Sequence, residues 1–103
     1  MINPIINKLY FFYFMAEEFN NKQVFLKKLI YRSKYTGTKE TDLLLGKFSD
    51  IHLPKLSFKD LLAYKKLLDS GDPRIWRLSI NIDKSYDKKE EELIHLIKKF
   101  TDK

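Results

Sequence analysis

The sequence predicts an all-α fold, a small five-helix bundle in a single domain. Apolar residues recur at helical spacing in separate stretches along the chain. Only three glycines and three prolines occur among 103 residues, too few breakers for a loop-rich all-β fold. Gly37, Pro54, Gly71 and Pro73 fall between the periodic stretches, where helices start or stop. A hydrophobic content of 44% and an aromatic content of 15% supply a core for one small domain.

The first helix is expected over about Asn21 to Tyr35, with Phe25, Leu26, Leu29 and Ile30 inward and lysines outward. Gly37 then supplies the backbone freedom that helix ends use. Thr38 is a good N-cap for a second helix. Glu40 and Asp42 lie in its first turn, Leu44, Leu45, Phe48 and Ile51 on its apolar face, and Pro54 at its end. His52, near that end, reads as a cap that complements the helix dipole. Ser57-Phe58-Lys59-Asp60 resembles a capping box for the third helix, with Leu56 and Leu61 placed as a hydrophobic staple. Leu61, Tyr64, Leu67 and Leu68 continue inward, and Gly71 ends the helix. Asp72 as N-cap and Pro73 at the first helical position open a short fourth helix carrying Ile75, Trp76 and Leu78. The segment Leu78–Ile82 is the one place with strand-like alternation, and residues 81–87 form a polar linker. The last helix is expected over Lys88 to Phe100, with Leu93, Ile94, Leu96, Ile97 and Phe100 inward and His95 in the same stripe.

Residues 21–103 thus form the helical domain, and residues 1–20 an N-terminal extension. Within that extension Leu9–Ala16 is apolar but far short of the roughly 20 residues of a membrane span. It lacks the flanks of a signal peptide. Either it docks on the domain as a strand or helical turn, or the chain starts at Met15 and the preceding residues are not part of it. The same region has no arginine-rich amphipathic transit peptide, so a bacterial cytoplasm is expected.

The net charge of +6 is unevenly spread. Lys22, Lys27, Lys28, Arg32, Lys34 and Lys39 lie in a stretch without a single acid. The remainder balances 14 basic against 14 acidic residues, so the whole excess belongs to this stretch. Such a patch suits a nucleic acid, an anionic membrane or an acidic protein surface, or is simply a solvated helix face.

Catalytic machinery is thin. The absence of cysteine excludes a disulfide framework, a thiolate metal site and a cysteine nucleophile. His52 and His95 lie on different helices without metal-ligand spacing. Glu90-Glu91-Glu92 reads as helix-start electrostatics. No Gly-rich phosphate loop and no GxSxG or HExxH motif occurs, and Ser33 has no neighbouring base in sequence. The expectation is a non-enzyme with no catalytic residue and no metal. A small basic nucleic-acid-binding module is the alternative. Against it, Glu40 and Asp42 would face the phosphates, and the cations precede the turn.

The segment Arg32-Ser33-Lys34-Tyr35-Thr36-Gly37-Thr38-Lys39-Glu40-Thr41-Asp42 joins a basic helix end, a glycine and an acidic helix start. Read locally, every residue there has a structural task. The run LIYRSKYTGTKETDLLLGKFSDIHLPKLS, followed by LLDSGDPRIWRL, also resembles the succinate dehydrogenase flavinylation, or assembly, factors. Their pattern is Arg-Ser, then Arg-Gly-x-x-Glu, an aspartate two residues on and a leucine run, with an Asp-Pro-x-x-Trp-like block downstream. Arg32 and Ser33, Gly37 and Glu40, and Asp42 with Leu43, Leu44 and Leu45 match the first block. Asp72, Pro73 and Trp76 match the second.

The resemblance spans about Leu26 to Leu78 and implies a helical bundle that is not itself an enzyme. It implies a chaperone that binds the flavoprotein subunit of succinate dehydrogenase, or of fumarate reductase. It promotes covalent attachment of FAD to a histidine of that partner, with no FAD held stably by the chaperone. Arg32, Ser33, Lys34, Gly37, Lys39, Glu40 and Asp42 would form the docking corner. The motif's arginine is Thr36 here, and threonine cannot make a bidentate cation contact. Either Lys34 or Arg32 takes over the charge, or docking is weaker or differs in geometry.

Overall fold

A computed structural model describes residues 20–101. The apolar run Leu9–Ala16 and the alternative start at Met15 lie outside them. Among the described residues there are five α-helices and no strand. The first, α1, is helical from residue 20 through 33. It is followed by α2 (Lys39–His52), a 3-10 turn (Leu53–Lys55), α3 (Phe58–Asp69), α4 (Asp72–Ser79) and α5 (Lys88–Thr101). Pro54 lies inside the 3-10 turn, so the second helix tightens rather than stopping outright.

The starts follow their caps. Thr38 is extended and its side chain accepts from the Thr41 N–H. The Ser57 hydroxyl accepts from the Asp60 N–H at 3.2 Å. The carboxylate of Asp60 bonds Lys89 of α5 at 2.9 Å, so this half of the capping box ties two helices together. Asp87 accepts from the Glu90 N–H at 3.0 Å and caps α5. At α4 the expectation fails by one position. Gly71, at φ +97°, is the N-cap, and Asp72 is already helical and caps nothing.

One core unites the helices. Leu26 and Leu29 of α1 meet Leu44, Leu45 and Phe48 of α2 and Leu61, Tyr64, Leu67 and Leu68 of α3. Leu53, Ile75, Leu78, Leu93, Ile94 and Ile97 complete the cluster. Helix α5 packs against α2, α3 and α4. Each fully buried large side chain contributes about 1.5–3 kcal/mol relative to exposure. Phe48 is the aromatic hub, with ring centres 4.9 Å from His52, 6.0 Å from Phe100 and 6.1 Å from Tyr64. His52 is therefore a packing ring, not only a helix cap.

Four further expectations need correction. Ile51 is 49% exposed and lies off the core, the covered stripe of α2 being Leu44, Leu45 and Phe48. His95 is exposed, because Leu93, Ile94 and Ile97 fill the buried row of α5. Leu78–Ile82 is no strand: α4 runs to Ser79, and Asn81, at φ +66°, turns the chain towards α5. Trp76, expected with Ile75 and Leu78, stands 39% exposed on the outer side of α4.

Candidate functional site

The corner between α1 and α2 is built by local bonds first. Lys34 and Tyr35 N–H groups donate to the Tyr31 and Arg32 carbonyls, both at 3.1 Å, and tighten the last turn of α1. Gly37 then takes φ +133°, a conformation L side chains rarely adopt. A Cβ there would reach no closer than 3.8 Å to Asp72 Oδ2, so dihedral strain and not crowding selects glycine.

Thr36 is the knot of the corner. Its N–H and its hydroxyl both donate to Asp42 Oδ1, at 2.5 and 2.6 Å. The Thr36 hydroxyl, followed by its N–H, holds the Asp42 carboxyl below the usual carboxylate range. The same hydroxyl lies 3.3 Å from Asp72 Oδ1. Two sequence blocks thirty-six residues apart thus converge on one side chain. A cavity of about 110 Å³ opens beside it, lined by Arg32, Tyr35, Thr36, Leu68, Gly71 and Asp72.

The residues singled out in the sequence separate by burial. Ser33 is fully buried: its hydroxyl donates to the Leu29 carbonyl at 2.7 Å and meets Tyr64 Oη at 2.6 Å. Burial pushes the Tyr64 phenol up to about 12. Arg32 is exposed and pairs with Asp69 at 2.9 Å, tying the end of α1 to the end of α3. Lys34 pairs with Asp50 at 3.2 Å, its stem lying across Gly46, where a Cβ would stand 3.3 Å from Lys34 Cγ. Asp42 is half-buried and Asp72 is buried. Gly37, Lys39, Glu40 and Pro73 face outward. Lys39 and Glu40 form no ion pair among the described residues, and Leu43 beside them is 58% exposed.

Sequence reasoning missed the partners of these residues. Asp69, which gathers Arg32 and Lys65, carried only an i,i+4 signal from Lys65. Asp50 carried none, and the inward stripe that places Tyr64 gives no sign of its bond to Ser33. A second polar knot joins α4 to α5. Arg74 donates to both Glu90 oxygens, at 3.0 and 2.5 Å, and Ser85 adds a bond at 2.7 Å. The Glu90 carboxyl is held low, first by Arg74, and the Arg74 guanidinium is raised in turn. Glu90 is therefore a tertiary clamp rather than only a charge at a helix start.

Among the described residues no three His, Cys, Asp or Glu side chains converge to hold a metal ion. No described helix is long and apolar enough to cross a membrane. The fold and the corner define a small helical bundle with a polar knot behind an exposed turn. Residues 27–101 match the family described as flavinator of succinate dehydrogenase, and the chain belongs to that family. The match extends beyond the two motif blocks to the end of α5.

Its relatives include a Dictyostelium discoideum protein 37% identical over 71 residues, 69% of this chain and 50% of that protein. A Caenorhabditis elegans protein is 34% identical over 79 residues, 73% of this chain and 66% of its own length. One from Caenorhabditis briggsae is 43% identical over 51 residues, 50% of this chain and 41% of that protein. All three are named succinate dehydrogenase assembly factor 2, mitochondrial. The chain thus spans less than two thirds of the length of the relatives first matched, 50% and 30% in two of them. No solved structure matches it. The expectation of a bacterial cytoplasm is overturned, since these relatives are eukaryotic and named mitochondrial. The composition of residues 1–20 does not decide compartment.

Proposed function

We propose that this chain is an assembly factor of succinate dehydrogenase that binds the flavoprotein subunit and promotes its covalent flavinylation. The family match over residues 27–101 carries this reading. The relatives' names support a mitochondrial site of action. The docking surface is the turn Gly37–Glu40, backed by the Thr36–Asp42–Asp72 knot. An exposed, unpaired Glu40 beside a side-chain-free Gly37 suits close backbone approach and charge-assisted bonds to a partner. The rigid bundle would favour the flavoprotein conformation in which its histidine is positioned for attachment.

FAD belongs to the partner in this reading, and the covalent bond forms between flavin and partner. Two features support that. The corner cavity of about 110 Å³ is well below the roughly 300–1,000 Å³ of cofactor pockets. The larger cleft of about 710 Å³ between the 81–87 linker and α5 sets Asp83, Glu91 and Glu92 against Lys84, Lys88 and Lys98, so its lining offers no excess of positive charge to a pyrophosphate. A non-catalytic role is supported by Ser33, whose single hydroxyl proton is spent on a backbone carbonyl inside the core. The nucleic-acid alternative is weakened by Asp69 and Asp50, which already engage Arg32 and Lys34.

The experiment is co-expression of the cognate flavoprotein with and without this chain. Covalent flavin fluorescence on a denaturing gel is expected to rise with the chain present and to fall back with Glu40→Ala. Equal fluorescence with and without the chain refutes the proposal.

A further inference from the structure

The outer side of α1 carries apolar surface that the core does not use. Val24 and Tyr31 stand 52% and 66% exposed, two helical turns apart on one row. Tyr35, 68% exposed, follows just past the helix end and leads into the Gly37–Glu40 turn. The Tyr31 and Tyr35 rings lean on each other, with centres 4.8 Å apart, and neither belongs to the core cluster. Beside them lies a trough of about 470 Å³, lined by Val24, Lys27, Lys28, Tyr31 and Arg32. Its walls are apolar, so the basic residues line it with their stems and hold their charges at the rim.

The charge on this face is of one sign. No acid occurs from Lys22 to Lys39. Arg32 is engaged by Asp69, but Lys27 and Lys28 form no ion pair among the described residues. Lys28 and Arg32 stand four residues apart, a like-charge spacing that works against the helix. Folding alone therefore gives no reason for this arrangement.

We infer that the outer face of α1 docks an acidic protein segment that carries an apolar side chain. The apolar side chain enters the trough against Val24 and Tyr31, and carboxylates beside it pair with Lys27 and Lys28. Exposed tyrosines suit such a contact, because they add apolar area and a polar tip at little entropic cost. That the segment belongs to the flavoprotein rests on the proposed function; the chemistry of the face does not.

The geometry favours this occupant over other anionic partners. An amphipathic helix enters a lipid surface through a crest of apolar side chains. Here Phe25, Leu26, Leu29 and Ile30 are spent on the core, and the outer face offers a hollow. A nucleic acid needs a run of phosphate contacts, and Arg32 and Lys34 are already engaged by Asp69 and Asp50. A second copy of this chain would set the same cations against Lys27 and Lys28.

The test has two arms, both on the full chain. In the first, a glutamate-rich peptide with a central leucine is titrated in and backbone amide resonances are followed. Saturable shifts at Val24, Lys28 and Tyr31 are expected, lost in the double variant Lys27→Glu/Lys28→Glu. Equal shifts from the same peptide with glycine for leucine, or tighter binding of oligothymidine or of phosphatidylglycerol vesicles, overturn the inference. Overhauser contacts from residues 9–16 to Tyr31 give the face to the chain itself and also overturn it.

In the second arm, affinity for the cognate flavoprotein is measured at low and at physiological salt. Lys27→Glu/Lys28→Glu is expected to weaken binding by on the order of a hundredfold and to flatten its salt dependence. Tyr31→Ala is expected to weaken it roughly tenfold and to leave the salt dependence in place. Lys84→Glu/Lys88→Glu makes the same change of net charge at exposed positions by the 81–87 linker and should leave affinity unchanged. Circular dichroism should be the same for all. Equal binding by the wild type and Lys27→Glu/Lys28→Glu, or an equal loss in Lys84→Glu/Lys88→Glu, overturns the inference and leaves the proposed function standing. A wild-type chain that takes up the leucine peptide yet ignores the flavoprotein removes the proposed partner and supports the face.

Discussion

Replacing Ser33 or Tyr64 should have unequal effects, and the inequality follows from counting protons. Ser33 Oγ donates its only hydrogen to the Leu29 carbonyl at 2.7 Å. The 2.6 Å contact with Tyr64 is therefore made by the phenol donating to Ser33. Both residues are 0% exposed, so no water replaces a lost partner. Tyr64→Phe removes the donor and leaves the Ser33 hydroxyl bonded to Leu29, at a cost of about 1 kcal/mol. Ser33→Ala strands the Tyr64 O–H in the core, at a cost of about 1–3 kcal/mol. The double variant removes donor and acceptor together and should be no less stable than Ser33→Ala alone. Urea unfolding followed by circular dichroism, compared at constant slope, measures all three. In melting temperature each kcal/mol corresponds to about 4–8 °C in a domain of this size. Additive losses, leaving the double variant the least stable, would refute the closed Tyr64–Ser33–Leu29 relay.

Other outcomes follow from the same geometry. The Tyr64 phenol is raised from 10.0 to about 12, so its contribution is intact below pH 10 and disappears as pH climbs through 12. About 3 kcal/mol should vanish over that window, and Tyr64→Phe should flatten the decline in urea midpoints taken from pH 9 to 12. The Glu90 carboxyl is lowered by Arg74, so its contribution is present above its ordinary 4.5 and disappears as pH falls through the lowered folded value. Glu90→Gln should cost about 2 kcal/mol at neutral pH and remove that acid-side loss. Gly37→Ala forces a side chain to φ +133° and should cost about 1–3 kcal/mol by thermal melting. Glu40→Ala should leave stability within about 0.5 kcal/mol while abolishing flavoprotein capture on an affinity resin.

Local chemistry explains what the sequence revealed of this fold. Thr38 and Ser57 cap their helices through bonds spanning three residues, and the residue types at those positions announce such bonds. Gly37 was legible for the same reason. Ile51 and His95 were misread because an apolar period gives the direction of a stripe and not its width. Which flanking row is covered depends on where the neighbouring helices stop. Asp72 shows the cost of an error of one residue. As an N-cap its carboxylate would have bonded the α4 amides. With Gly71 taking the cap at φ +97°, Asp72 lies within the helix beside Thr36. The ties Arg32–Asp69, Lys34–Asp50 and Arg74–Glu90 span sixteen to thirty-seven residues, distances at which a charge pattern names no partner.

Thr36 changes meaning once these contacts are known. Against the family pattern it is a missing arginine, and the docking corner looks deficient in charge. In the fold its hydroxyl and N–H already satisfy Asp42, and the corner keeps its shape without a cation. The same hydroxyl also reaches Asp72, a buried acid, at 3.3 Å. Arg32 and Lys34, the two candidates for supplying the charge from within, are held by Asp69 and Asp50. These exposed pairs are each worth at most about 1 kcal/mol and could be broken on docking. Ser33, anchored through Tyr64, still holds the end of α1 against α3 if they are. A partner could therefore dock on the corner without unfolding it, and binding energy would go into the contact rather than into rebuilding the turn.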